Sequence, residues 1–314
     1  MDIFNPKYMR RADPALFYTR GDVYDQRLGE RALRTVGHYG EAHVVLLGVP
    51  QDEGVRRNGG RPGATQAPTE IRRALYRLTA NGFENLRLLD LGDLALQSKL
   101  EQTHALLQQW VQKLIEDGKR VIVLGGGNDI SYPDCSGLSL AAPALLAFNI
   151  DAHFDVRADT PCNSGTPYRQ LLEEGFVKPE LFYEIGFQPA LNSTVYAEYL
   201  RGKGVNMCSL TGLREIGVGA TFKKILKRRN FDTVFWGFDL DVVRSSDAPG
   251  VSAAHPLGLT GEELCEIAGI AGGEPRTRVV EFSEVSPPND TDGRTSQLAA
   301  HAIWHYLSAL APGL

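Results

Sequence analysis

The chain has 314 residues, with 33 basic against 38 acidic side chains and a formal net charge of −5, a balance that gives no electrostatic basis for general binding to nucleic-acid phosphate or anionic membrane. Four scattered cysteines without a CxxC pair argue against a disulfide framework and for a reducing compartment. The N-terminal stretch has no apolar signal core and no apolar run approaches the ~20 residues of a bilayer span, so a cytoplasmic protein without membrane or nucleic-acid partners is expected.

Residues 1–40 are mixed and polar and predict an irregular arm with one helix near Gln26–Val36. From Ala42 onward, short apolar runs alternate with amphipathic stretches. The runs are His43–Val49, a weaker Leu86–Leu91 interrupted by Arg87 and Asp90, Val121–Leu124, Ala144–Ile150, Leu181–Gly186, Thr233–Leu240 and Arg278–Val285. Such runs read as strands buried on both faces of a parallel sheet. Helical spacing marks Thr69–Thr79, Thr103–Glu116, Gly261–Ala268 and Arg294–Leu310. The basic cluster Lys223, Lys224, Lys227, Arg228 and Arg229 reads as the solvated end of a further surface helix. Strands alternating with helices predict an α/β fold, a three-layer αβα sandwich with a mainly parallel sheet. No repeat or linker divides the chain, so residues 1–314 are expected to form one domain.

Ligands of such sheets bind beyond the carboxyl ends of the strands, and there the residues are reactive. Asp151-Ala-His153-Phe-Asp155 follows one run, and alternate side chains share a face if the backbone stays extended. Asp239-Leu-Asp241 follows another. A lone DxD is a weak signal and a DxHxD can be a solvated turn. Together they supply four carboxylates and an imidazole, a charge of −4 that two divalent cations would balance. Gly125-Gly126-Gly127-Asn128-Asp129 follows a third run and lacks the pattern of a phosphate loop.

These segments, with Ser283-Glu284-Val285-Ser286-Pro287, resemble in order and spacing those of the ureohydrolase superfamily of arginases and agmatinases, over roughly residues 42–310. The segments Asp52–Ala64, Arg157, Ser164–Gln170, Ala248–Ala253 and Asp292–Thr295 are more similar to the formimidoylglutamase group. The resemblance implies an arginase-like fold, a binuclear Mn²⁺ site and hydrolysis of a linear amidine, N-formimidoyl-L-glutamate, to L-glutamate and formamide in histidine degradation. It places one metal on Asn128, Asp151, Asp155 and Asp239 and the other on Asp151, His153, Asp239 and Asp241. The family carries histidine where this chain has Asn128. An amide oxygen is a poorer ligand than imidazole for first-row metals, so the Asn128 site is expected to be weak or empty. A homo-oligomer is also expected from the resemblance.

The same resemblance makes Asp155 the proton acceptor and Glu284 the partner of the amidine. Carboxylates of a glutamate derivative call for arginine, and Arg157 and Arg57 are the candidates, with Ser164 and Asn58 as further hydrogen-bonding groups. The loop arginines could equally pair with Asp52 or Glu53 and brace the loop. Tyr168 falls where arginases place a proton-shuttling histidine, which argues against arginase activity. Two other readings stand beside the leading one: a pseudoenzyme with decayed metal affinity, and an agmatinase-like hydrolase of another guanidine or amidine. His301 and His305, spaced i,i+4, are expected at the edge of helix-to-sheet packing, and His104 has no partner readable from sequence.

Overall fold

A computed structural model describes residue 5 and residues 7–314. Among these residues nine strands form one sheet: β1 (Met9–Arg10), β2 (Val44–Gly48), β3 (Leu88–Leu94), β4 (Arg120–Leu124), β5 (Leu145–Ile150), β6 (Phe182–Phe187), β7 (Asn206–Ser209), β8 (Thr233–Asp239) and β9 (Thr277–Ser283). Their order is β1-β3-β2-β4-β9-β8-β5-β6-β7. Every pairing is parallel except β1 with β3. The helices are α1 (Leu28–Arg31), α2 (Glu53–Arg57), α3 (Ala67–Leu75), α4 (Leu100–Glu116), α5 (Ser131–Ala141), α6 (Pro167–Glu173), α7 (Thr194–Lys203), α8 (Leu210–Ile216), α9 (Val218–Leu226), α10 (Gly261–Gly273) and α11 (Arg294–Leu310).

Alternation along each strand divides the core in two. Leu146, Phe148 and Ile150 of β5 pack with α3 and α8–α11, while Leu145 and Ala147 pack with α4–α7. The three-layer arrangement follows from strands apolar on both faces.

Several elements differ from the sequence expectation. The arm before residue 40 contributes β1 to the sheet edge, and the helix near Gln26–Val36 shrinks to the single turn of α1 before a 3₁₀ segment at Val36–Glu41. Strand β7 and helices α5–α8 carry weak apolar signals; α5 reads SYPDCSGLSLA and is held by burial rather than by an amphipathic stripe. His301 and His305 lie on the exposed side of α11 and not at its packing edge. Beyond β4, Gly125 and Gly126 take φ of +71° and +99°, where a side chain on Gly125 would also strike Ala67 and Pro68. This turn delivers Asn128 to the end of the sheet.

Candidate metal centre

β5 and β8 are neighbours, with Ile150 opposite Phe238, so Asp151 and Asp239 emerge side by side. Two groups of metal-ligating atoms result, each with its atoms within 4.8 Å of one another: Asp151, His153 and Asp241, and Asp151, Asp155 and Asp239. Asp151 belongs to both, as a bridging carboxylate would. The DAHFD segment is not extended as the alternation argument assumed. Residues 151–153 bend, and Asp155 takes a left-handed φ of +47°. The bend, not a strand face, places His153 in one group and Asp155 in the other. Glu284 is also left-handed, at φ +62°. Non-glycine residues in this region are uncommon and gather at functional sites.

The electrostatics are those of buried anions. Burial, reinforced by neighbouring carboxylates, holds Asp151 and Asp239 well above the ordinary range. Burial pushes Asp155 up to about 6 against the opposing pull of His153 and Asn128. Burial likewise raises Glu284. The His153 imidazole is raised above its ordinary range, chiefly by Asp241, whose Oδ2 is 3.0 Å from His153 Nδ1. Asp241 Oδ1 is buried without a hydrogen-bond partner among the described residues. Four clustered carboxylates with one imidazole, and an orphaned carboxylate oxygen among them, are the donor set of a divalent-cation site and fit Mn²⁺.

Asn128 stands against the second group. Its Nδ2 donates to Asp155 Oδ2 at 2.6 Å and lies 3.3 Å from Asp151 Oδ2. Its Oδ1 faces away, 3.0 Å from Ser131 Oγ and 2.9 Å from Ser283 Oγ. The amide therefore presents N–H to the carboxylates, bridging them as a cation would. Its backbone N–H donates to Glu284 Oε1 at 3.0 Å, which brings Glu284 against the centre.

The surrounding loops interlock. Asn58 Nδ2 donates to Ser164 Oγ at 3.0 Å, and Ser164 N to Gly54 O at 3.1 Å. Arg57 is engaged by Glu53 at 3.1 Å and Glu101 at 2.6 Å, Arg56 by Asp52 at 3.0 Å. Arg61 binds the carbonyls of Val251 and Ser252. Arg157 is exposed and makes no ion pair among the described residues; it lines a cleft of about 550 Å³ with Glu101, Cys162 and Arg169. A larger cleft of about 810 Å³ runs along α11 and is lined by Asp247, Glu262 and Glu266 but by none of the clustered carboxylates; chemistry and not volume distinguishes that cluster.

Some neighbours of the centre escape the sequence reading. His104 of α4 is buried and its Nε2 lies 2.7 Å from Asp129 Oδ2, which also accepts from Gln51. Burial works to lower the imidazole, but the Asp129 contact outweighs it and pushes it up to about 9. No local pattern joins these residues. Tyr168 is only 1% exposed, with its hydroxyl against Gly237 beneath the ligand row, so it does not occupy the mouth of the site as a proton shuttle would. Asn149 and Glu281 are buried; a polar residue inside an apolar run was the signal for both.

Comparison with known proteins places the chain in a family. Residues 42–308 match the Arginase family. A formimidoylglutamase of Rhodococcus jostii (strain RHA1) is 32% identical over 281 residues, covering 85% of this chain and 86% of the relative. The structure of Trypanosoma cruzi formiminoglutamase with Mn²⁺ superposes with a TM-score of 0.85 at 32% identity, over 91% of this chain and 99% of that one. An asparagine-to-histidine variant of the T. cruzi protein, also described with Mn²⁺, gives a TM-score of 0.87 at 31% identity, over 92% and 99%. No helix among the described residues is long and apolar enough to cross a membrane. With its nine-stranded, mainly parallel sheet, its carboxylate cluster at the strand ends and these relatives, the chain belongs to the arginase family.

Proposed function

We propose that the chain hydrolyses N-formimidoyl-L-glutamate to L-glutamate and formamide. The observation that carries this reading is the convergence of Asp151, His153, Asp155, Asp239 and Asp241 near Arg157, which lies two residues past Asp155 and makes no ion pair among the described residues. Relatives named formimidoylglutamase support it. Asp151, His153, Asp239 and Asp241 would hold one divalent ion, and Asp151, Asp155 and Asp239 with Asn128 the other. Bound there, divalent ions lower the pKa of water and polarise the amidine.

The chain's own groups account for the rest. Glu284 has one oxygen engaged by the Asn128 N–H, which leaves the other for the amidinium of the substrate. Arg157 binds the glutamate carboxylates bidentately. Ser164 accepts from Asn58, so its hydroxyl hydrogen is free to reach the same carboxylates. Arg57, already shared between Glu53 and Glu101, braces the loop that carries Asn58. Water adds to the formimidoyl carbon, its proton passes to Asp155, the bond from carbon to the glutamate nitrogen breaks, and the proton moves to that nitrogen. Formamide and glutamate result.

The reading is tested by assaying glutamate release from formimidoylglutamate, and urea release from agmatine and arginine, with excess Mn²⁺. Turnover of formimidoylglutamate alone is expected; agmatine turnover would transfer the assignment to a cationic substrate. One observation favours a second reading, a binding protein with decayed metal affinity: the Asn128 amide turns N–H toward the carboxylates. Absence of turnover with both ions bound would favour it.

A further inference from the structure

Beneath the ligand row lies a second polar row that this hydrolysis does not use. Register places Glu184 beside Asn149, Asn149 beside Gly237, and Gly237 beside Glu281, across β6, β5, β8 and β9. Paired residues of parallel strands point the same way. Two residues further along β5 and β8, the same face carries Asp151 and Asp239. Ser131 and Asp134 of α5 and Tyr168 of α6 close the row from the helix layer. Ser131 Oγ is 2.8 Å from Glu281 Oε1, and a Cβ on Gly237 would come within 2.5 Å of the Tyr168 hydroxyl. The Glu281 charge acts on both Asp134 and Tyr168, and that of Glu184 on Tyr168, so these groups converge.

None of Ser131, Asp134, Asn149, Tyr168, Glu184 and Glu281 is more than 1% exposed. Yet both carboxyl oxygens of Asp134, Asn149 Oδ1, Glu184 Oε1 and Glu281 Oε2 have no hydrogen-bond partner among the described residues, and the Tyr168 hydroxyl has none of normal geometry, with only Ser131 near enough among them to act on it as a partner. Buried polar atoms are almost always paired, with protein or with ordered water. All but the hydroxyl and any protonated acid are acceptors, and no lysine or arginine bonds to them among the described residues.

We propose that this row is a closed internal hydration site, in which water molecules held between Asp134, Asn149, Tyr168, Glu184 and Glu281 supply the missing donors and thereby position the ligand row above. Burial holds the three acids above the ordinary carboxyl range. Two links lead upward. Asn149 Nδ2 donates to Glu184 Oε2 at 2.9 Å and lies 3.4 Å from Asp151 Oδ2. Ser131 lies between Glu281 and Asn128 Oδ1. The inference is independent of the substrate proposed above.

Tyr168→Phe removes one hydroxyl and nothing else. In a hydrated row the full-length variant loses about 2–4 °C in Tm, and its Mn²⁺ Kd, read by calorimetry, rises on the order of 10-fold although Tyr168 is not a ligand. An unchanged or higher Tm means the hydroxyl was dry and overturns the proposal. An unchanged Kd overturns the positioning half. Asp134→Asn, compared in KCl and choline chloride at one ionic strength, separates water from a monovalent cation: a potassium-specific rise in Tm that this variant abolishes overturns the hydration site. A high-resolution crystal structure is expected to show water within about 3.2 Å of the Asp134 oxygens and the Tyr168 hydroxyl, and a dry row there overturns it outright.

Discussion

Asn128, where the family resemblance leads one to expect an imidazole, offers an amide that can turn either face to the carboxylates. With Nδ2 inward it bridges Asp155 and Asp151. With Oδ1 inward its N–H would instead meet Ser131 and Ser283, whose hydroxyls can accept. Binding an ion at this position therefore costs the hydrogen bond to Asp155, besides offering the weaker donor. Asn128→His is expected to tighten binding of the second Mn²⁺ by about 10-fold or more, measured by calorimetry on metal-stripped protein. Equal affinities in the two proteins would remove the claim that Asn128 weakens the site. Arg157 supports a separate prediction. Arg157→Ala is expected to lose about 2 kcal/mol of substrate binding, a KM increase of roughly 30-fold, with metal content unchanged. Normal kinetics in that variant would place glutamate recognition elsewhere.

At the scale of elements, β3 shows how a polar interruption becomes structure. Asp90 breaks the apolar run that sequence reading found weak. In the fold it is buried, 2.8 Å from Arg72 Nε of α3, and accepts a bond from Tyr76. Arg72 also reaches Asp93 at 2.5 Å and the carbonyl of Gly92 at 2.8 Å. The guanidinium is almost wholly buried, so it is paired on every side and locks α3 to β3. Arg72→Ala would leave Asp90 as an uncompensated buried charge, and a loss of about 3–5 kcal/mol is expected, read from the urea midpoint. A loss under about 1 kcal/mol would mean that the pair contributes little beyond its own desolvation. The network was illegible in sequence because Arg72 and Asp90 lie on different elements, joined only by packing.

Over the whole molecule, burying so many acids makes stability depend on pH and metal together. Asp155 is pushed up to about 6 and Glu281 to about 8, both by burial, against roughly 4 in an unfolded chain. Between those limits the folded metal-free protein holds protons that the unfolded chain has released. Its stability is therefore greatest at the acid end and falls as pH rises from about 4 through 8. Divalent ions require the ligand carboxylates ionised and reverse the effect. The Tm of chelator-treated protein is expected to fall from pH 5 to pH 8, while the increment given by added Mn²⁺ grows over the same range. An increment that stays flat across that range would contradict the assignment of the ions to this cluster.

The types of the candidate site residues and their order along the chain were determined by sequence alone: Asp151, His153 and Asp155 after one buried run, Asp239 and Asp241 after another, Glu284 after a third. Chemistry that sits just past an apolar strand is readable because strand ends of a parallel sheet gather at one edge whatever the details of packing. The alternation of apolar runs with amphipathic stretches determined the layered fold for the same local reason. Tertiary structure decided what depends on register and on bends. It turned the DAHFD segment through a left-handed Asp155 instead of extending it, and it set the Asn128 amide between Ser131, Ser283 and Asp155. It also committed Arg57 to Glu53 and Glu101 while leaving Arg157 unpaired among the described residues, and aligned Glu184, Asn149, Gly237 and Glu281 into one row. The contacts of Asn128 with Asp155 and Ser283, of Arg57 with Glu101, and the row across four strands join residues far apart in the chain, and only the folded backbone brings them together.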